Sequence, residues 1–556
     1  MNFKLIYDNP KEDLLNRLFK VRWIDDDIDS FLDPKLSDYR GNPFLLHDME
    51  KSVQRIIQAM KDKEKIMIFW DYDVDGITSS YILYQFFMKF LNYKYVSIQY
   101  PDRIEDGYGI KKKHIDDIQS KGVTLIITVD NGISTVQEAE YAKELGIDII
   151  ITDHHQHGEK IPPAFAVITP LISPEYPFKY LAGVGVAFKL ICALTERSTL
   201  TKDKKNQVFN YFLPVVAIGT VADVVPLVNE NRVIVKRGLE LINRNHENLP
   251  SSLKWFLKYL NLKNNVDTFH IGFIIWPRIN AGGRIQSPYD SLKALLYTGE
   301  KQIDHLDKIE EINTERKRIQ EEALKKAEEL IDLNERILIA TNESFHEGIV
   351  GIVAGRLTEK YTKPSMVLKI NQEKQLWIAS LRGPDYFNVI EMISTASDIL
   401  ERFGGHKGAG WLAVKLENLD KLIQRFQTYC NECIQDHHLI KTVKVDTKIY
   451  QHERDNVILA KIQQFAPFGE GNSEPVFLLE DIVIKKVEKV GTNGKSHLKV
   501  HGQFGDKKIT AMFRGKWWEV DNLLESSAKS SGLSIIWKIK KDTFNGWFYL
   551  EWADIQ

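Results

Sequence analysis

Between Lys65 and Thr152 the chain alternates short apolar runs with helix-length segments, and this alternation limits the fold more than any other feature of the sequence. KIMIFW (65–70), VSIQY (96–100), VTLIITV (123–129) and IDIIIT (147–152) are the apolar runs. Between them lie SSYILYQFFMKFL (79–91), a polar helical stretch near 111–120, and STVQEAEYAKEL (134–145). Near-continuous apolar runs of strand length, separated by helices, predict βα units and a parallel sheet buried on both faces.

A second α/β pattern starts at Arg336 with RILIAT, GIVGIVAGRLTEKY and SMVLKI and runs to about residue 435. Between the two patterns, IEEINTERKRIQEEALKKAEELI places opposite charges at i,i+4 spacing, which predicts a long solvated helix connecting two domains. The last stretch changes character again. VFLLEDIVIKKVEKV (476–490), HLKVHGQF (497–504), KKITAMFRG (507–515), LSIIWKIKK (533–541) and GWFYLEWADI (546–555) read as strands, with GTNG, GDK and FNG as turns. Five such strands suit a small β-barrel of the OB type. Residues 1–50 are mixed and polar and are expected to pack on the domain that follows.

Composition excludes some classes. A formal net charge of −2 gives no bulk basic field, so nucleic-acid binding would need local patches. Three cysteines in 556 residues argue against a disulfide framework and fit a reducing cytoplasm. The start, MNFKLIYDNPKEDLL, has no apolar core of a signal peptide, and no run approaches a membrane span. A cytoplasmic protein without membrane partners is expected. Cys430, Cys433, His437 and His438 have a zinc-like spacing, but FQTYCNECIQDHH reads as ordinary helix.

The chemistry lies where the acids fall. DYDVDG (Asp71, Asp73, Asp75) follows the first strand run, DNG (Asp130) the third and DHH (Asp153, His154, His155) the fourth. Strand C-termini of a parallel sheet share one edge, so these clusters should meet in one cleft. Asp223, in AIGTVADVVPL, is a fourth candidate. Each piece alone reads as a turn, a cap or a calcium-type loop. Together, that many carboxylates need a counter-charge, because repulsion and desolvation would otherwise neutralise them or splay them apart. Divalent cations supply it. Mixed carboxylate and imidazole donors favour Mn2+, Zn2+ or Mg2+ over a thiolate-type site, and the imidazoles tilt the choice to Mn2+ with Mg2+ as the alternative. A shared carboxylate could bridge two ions about 3.5–4 Å apart, an arrangement suited to hydrolysing a phosphoester.

DYDVDG, DNG, DHH and GTVADVVPL, in this order, resemble the four motifs of the DHH phosphoesterase superfamily. PDRIEDGYG (101–109), LAGVGVAFK (181–189), PRINAGGR (277–284), HEGIVGIVAGRL (346–357), ASLRG (379–383), FGGHKGAG (403–410) and APFGEGNSEP (466–475) narrow the resemblance to the RecJ exonucleases. It covers the chain from about residue 40 to the end.

The resemblance implies a multidomain α/β protein that degrades single-stranded DNA 5′→3′ in repair and recombination. Its expected parts are a segment at 1–50, a parallel-sheet DHH domain (51–295), a connecting helix (296–335), a smaller α/β DHHA1 domain (336–440) and an OB-like barrel (441–556). Asp71, Asp73, Asp75, Asp130, His154 and Asp223 are the implied ligands of two divalent metal ions, with Asp130 the bridge. His155 is placed beside the scissile phosphate, and Asp153 behind the imidazoles. Arg103, Ser380 and Arg382 would hold a terminal 5′-phosphate. Arg278, Asn280 and Arg284 would line the path near the scissile phosphate. Gly404, Gly405 and His406, with Lys407, would offer backbone amides and side-chain contacts. Lys485, Lys486, Lys489, Lys508, Arg514, Lys516, Trp517 and Trp518 would suit strand tracking and base stacking on the barrel. Single-stranded DNA is the implied partner, and the resemblance is compatible with a single-strand binding protein and a helicase as protein partners. The alternatives are a phosphodiesterase of short oligonucleotides or cyclic dinucleotides, and an inactive replication scaffold. The scaffold would be expected to lack several of the acids present here.

Overall fold

The computed structural model describes the chain except Met1, 25–27, 36–40, 102–108, 263–264, 454–459, 461, 491–496, 506, 515–532, 542–547 and Gln556. It divides into two compact units, Met1–Pro34 with Ile440–Gln556, and Lys35–Leu439.

In the first unit, β1 (Asn2–Leu5) belongs to the opposite end of the chain and pairs in parallel with a late strand, Thr442–Val445. The helix Leu14–Val21 is capped by Asp13, whose side chain accepts from the backbone N–H groups of Leu15 and Asn16. Its Arg17 is wholly buried and forms a bidentate pair with Glu453 at 2.9 and 2.7 Å. Residues 1–34 therefore group with the C-terminal segment, whereas the sequence led us to expect 1–50 to pack on the following domain. The partners that decide this lie over 400 positions away, beyond the reach of local pattern.

The second unit contains two sheets. The first orders β3 (Val96–Gln99), β2 (Lys65–Trp70), β4 (Val123–Val129), β5 (Asp148–Thr152) and β6 (Ala166–Ile168), all parallel. The short β6 has no counterpart in the sequence reading. Side chains alternate across a strand, and the sheet divides its residues accordingly. Ile66, Ile68, Trp70, Leu125, Ile127, Val129 and Ile150 join one core with the helices Val74–Gln85 and Gly183–Arg197. Met67, Phe69, Ile126, Ile149 and Ile151 join another with Ile115, Ile118 and Ala142 of the helices Lys112–Ser120 and Val136–Glu144. With each face covered by helices, the strands must be apolar throughout.

The second sheet orders β10 (Leu400–His406), β11 (Ala409–Lys415), β9 (Leu376–Arg382), β8 (Ser365–Asn371) and β7 (Leu338–Thr341). Only β7 and β8 run parallel. The helix Glu347–Tyr361 packs here through Ile349, Val350, Val353, Ala354 and Leu357. Helix Glu300–Leu330 joins the two halves. It is not solvated all round: Leu306, Ile309, Ile312, Asn313, Arg316, Ala323 and Ala327 form a buried stripe. Its charge pattern hid that stripe in the sequence.

The rest of the first unit is a barrel. β12 (Thr442–Val445) is the partner of β1, and β13 (Thr447–Lys448) flanks β14 (Val476–Val490). β14 pairs with β15 (His497–Phe504) and with β17 (Leu533–Lys541). β16 (Lys507–Arg514) and β18 (Phe548–Ile555) complete a closed five-strand circuit, as an OB-fold requires. Lys516, Trp517 and Trp518 lie outside the described residues.

Candidate metal centre

Each acidic cluster is fixed by the end of a secondary-structure element. The chain leaves β2 at Asp71. Asp73 then caps helix Val74–Gln85, its Oδ1 accepting from the N–H groups of Asp75 at 2.9 Å and Gly76 at 3.1 Å. Asp75, in the first turn, accepts from Gly183 at 2.6 Å and Val184 at 2.8 Å, the opening amides of helix Gly183–Arg197. Two helix N-termini thus converge on one carboxylate. Asp130 leaves β4 with a left-handed φ of 59°. Gly183 faces it closely: a Cβ there would come 2.6 Å from Asp130 Oδ1. Asp153, at the end of β5, accepts from Ile133 N–H at 2.9 Å and from His155 Nδ1 at 2.8 Å. Asp223 closes helix Lys202–Ala222 at its C-cap.

These side chains meet. His154 Nε2 lies 3.1 Å from Asp130 Oδ1, 3.6 Å from Asp223 Oδ2 and 3.9 Å from Asp75 Oδ2. Three ligand groups form, each with donor atoms within 4.8 Å of one another: Asp130, His154 and His155; Asp75, His154 and Asp223; Asp71, Asp73 and Asp130. Asp130 belongs to two of them, which suits a carboxylate shared between neighbouring ions. His154 Nε2 and Asp223 Oδ2 are buried without a hydrogen-bond partner among the described residues. Buried polar atoms left in this way are costly, and a divalent cation among these donors would satisfy them. The residues fit a pair of hard or borderline cations.

The electrostatics agree. Burial, and then the neighbouring Asp73, push Asp75 up to about 7, against the pull of the Val184 and Gly183 amides. Asp130 is held well above the usual carboxylate range by burial and by Asp75, Asp73, Asp223 and Asp71. Asp223 is raised by burial and by Asp75 and Asp73, and it sits at the negative end of a helix dipole. Burial, with His155 beside it, lowers His154 to about 3. Burial also opposes charge on His155, but Asp153, Asp223 and Asp71 together outweigh it and raise that imidazole to about 9. Carboxylates whose ionised forms are disfavoured by burial and by one another mark a place built for added positive charge.

The expected phosphate-binding residues are placed less uniformly. Asn280 and Arg284 share helix Trp276–Ile285, with Asn280 Oδ1 accepting from Arg284 Nη2 at 3.3 Å and Trp276 Nε1 at 3.1 Å. That helix touches the metal loop: a Cβ on Gly283 would collide with the Tyr72 carbonyl. Arg278, on the same helix, pairs with Glu310 at 2.5 and 3.2 Å, so its guanidinium is engaged. Ser380 and Arg382 are joined on β9, Arg382 Nη1 donating to Ser380 Oγ at 3.2 Å. Both face Gly351 of helix Glu347–Tyr361, and Gly348 of that helix abuts the Arg284 carbonyl. The two arginine-bearing pairs therefore flank one glycine-faced helix. Arg103 lies outside the described residues.

FGGHKGAG forms the β10–β11 hairpin. Its glycines have a packing reason. A Cβ on Gly405, at φ 149°, would meet the Ala409 carbonyl at 2.5 Å, and Trp411 covers Gly404. β10 is also a sheet edge, which leaves a row of backbone groups unpaired by the ladder. His406 Nδ1 accepts from Gly408 N–H at 3.2 Å. Cys430 is buried in helix Leu419–Cys433 against Met392, as a core residue.

The sequence reading missed the amides of Gly183 and Val184, although LAGVGVAFK stood out as a motif. It also passed over Asn313 and Arg316. The buried stripe of their helix was the signal, masked by the surrounding charge.

The DHH family N-terminal domain matches residues 65–220, the DHHA1 domain 334–432 and the RecJ OB domain 445–552. A Bacillus subtilis protein named single-stranded-DNA-specific exonuclease RecJ is 35% identical over 478 residues, 84% of this chain and 58% of that protein. The chain thus spans well under two thirds of that relative's length. The protein of the same name from Haemophilus influenzae is 31% identical over 509 residues, 88% of this chain and 86% of that one. RecJ from Thermus thermophilus, solved in complex with Mn2+, shares the fold with a TM-score of 0.83 at 23% identity, covering 100% of this chain and 79% of that one. It has also been solved with Mg2+. Domain order, converging acids and relatives matched over most of this chain agree: the chain belongs to the RecJ family.

Proposed function

We propose that this protein is a metal-dependent exonuclease that hydrolyses single-stranded DNA from the 5′ end, using two divalent cations with Mn2+ preferred and Mg2+ as the alternative. The observation that carries this is the convergence of Asp75, Asp130, His154 and Asp223, with His154 Nε2 and Asp223 Oδ2 buried and unsatisfied among the described residues. Bound there, the cations would supply a hydroxide at neutral pH and neutralise charge on the phosphodiester. Asp71 and Asp73 extend the ligand set, and Asp130 serves both halves of it. Asp153 holds His155 by Nδ1, which sets its tautomer and keeps a cationic imidazole beside the phosphate. Arg284, oriented by Asn280, fits a phosphate oxygen near the metal loop.

Three features support this reading over an oligonucleotide or cyclic-dinucleotide phosphodiesterase: the RecJ OB match, the closed barrel and the relatives' names. A DNA-repair role and a cytoplasmic setting complete this reading. The three cysteines form no disulfide among the described residues, which suits a reducing compartment, and no helix among the described residues is long and apolar enough to cross a membrane. Single-strand binding protein and a helicase are the partners this role would engage.

The test is degradation of a long 5′-labelled single strand with Mn2+. Asp130→Ala should abolish turnover while the thermal transition persists. Full activity in that variant would overturn the assignment.

A further inference from the structure

The connecting helix carries a buried cation that no described carboxylate neutralises. Arg316 keeps 9% of its surface exposed, and its partners are neutral amides. Its Nε and Nη2 donate to Asn313 Oδ1 at 3.3 and 3.0 Å, and Nη1 donates to Gln320 Oε1 at 2.8 Å. The two bonds to Asn313 fix its amide, which is 0% exposed, and leave its Nδ2 a buried donor without an acceptor among the described residues. Arg278 and Arg356 are close enough to disfavour further positive charge there, after burial itself. A guanidinium is rarely buried without a counter-ion. Here the guanidinium meets only neutral acceptors, and the same asparagine keeps a buried amide donor to spare among the described residues.

Its position suits the substrate. Arg278 is held to Glu310 of the same connecting helix, one turn before Asn313. From Arg278 to Gly283, which abuts the metal loop at Tyr72, is about 8 Å along the helix axis.

We propose that Asn313 and Arg316 form a phosphate subsite for the DNA strand, within a few nucleotides of the scissile linkage. This rests on the exonuclease reading above and adds a substrate-binding residue pair on the connecting helix. The subsite takes a phosphodiester oxyanion through charge-assisted donors.

The experiment measures binding of a 5′-labelled oligodeoxythymidylate in EDTA, where no cleavage occurs, together with thermal stability. Arg316→Gln should weaken binding about tenfold and lower the salt slope by about one. Asn313→Asp gives Arg316 an internal carboxylate, so it should raise the melting temperature yet weaken binding about as much. A neutral methylphosphonate placed at successive linkages should weaken wild-type binding at one position to which Arg316→Gln is indifferent. Wild-type affinity and salt slope in both variants would overturn the subsite, as would parallel loss of binding and stability in both, which would mark a packing role. Failure of the intact wild type to bind the strand at all would instead remove the exonuclease reading on which the proposal stands.

Discussion

Gly183 shows how narrowly a single position is set. Its N–H is bonded to Asp75, and its missing Cβ leaves room for Asp130. Gly183→Ala should lower Mn2+ affinity at least tenfold and cost about 1–3 kcal/mol of stability through overpacking, read by calorimetric titration and melting. Wild-type Mn2+ affinity would show that Asp130 can shift without consequence. Arg382 is the corresponding test of strand polarity. Its bond to Ser380 and its lack of a carboxylate partner among the described ion pairs suit a terminal phosphate. Arg382→Ala should slow degradation of 5′-phosphorylated ends more than 5′-hydroxyl ends, and equal slowing would remove the pocket. The acids themselves set a pH dependence. Asp75, raised to about 7, and Asp130 and Asp223, also raised, bind protons more tightly folded than unfolded. Their stabilising effect is full below the ordinary carboxylate range and is lost as pH rises through their folded values. Chelated protein should therefore melt lower at about pH 8 than at about pH 6.5; His155, raised to about 9, acts in the same direction, and the lowered His154 opposes it only near the ordinary histidine value. Mn2+ should restore more stability at the higher pH. Equal melting temperatures across that window would contradict the raised acids.

Among elements, the N-terminal helix shows how a distant partner decides placement. Arg17 donates to Glu453, Thr447 Oγ1 and the Lys448 carbonyl, all in the C-terminal segment. Removing one member leaves a buried charge alone, so Glu453→Gln should destabilise this unit by about 3–5 kcal/mol. Its melting transition is the measurement, and replacing both residues with apolar ones should cost less. A change under about 1 kcal/mol would place the pair among weak surface bridges. The connecting helix makes the opposite point. Alternating charges at i,i+4 describe its exposed side, as with Arg318 between Glu315 and Glu322. The buried side, with Ile309, Ile312 and Arg316, is visible only once its neighbours are in place.

Across the whole molecule, strands buried on both faces were the most legible, because an apolar run of strand length has few other uses. KIMIFW, VTLIITV and IDIIIT became β2, β4 and β5 with nearly the expected bounds, and the five late runs became the barrel strands β14 to β18. The order of Asp71, Asp73, Asp75, Asp130, His154 and Asp223 along the chain was likewise enough to expect one cation cage, since parallel strands must end at a common edge. Local pattern could not assign residues 1–34 to the C-terminal unit. It could not commit Arg278 to Glu310 either, or leave Arg316 and Asn313 with donors to spare. Periodicity and motif are properties of neighbouring residues, and they determined which elements form and which chemistry they carry. Which charges are paired, buried or left without a partner depends on atoms brought together from distant parts of the chain, and only the tertiary structure decided it.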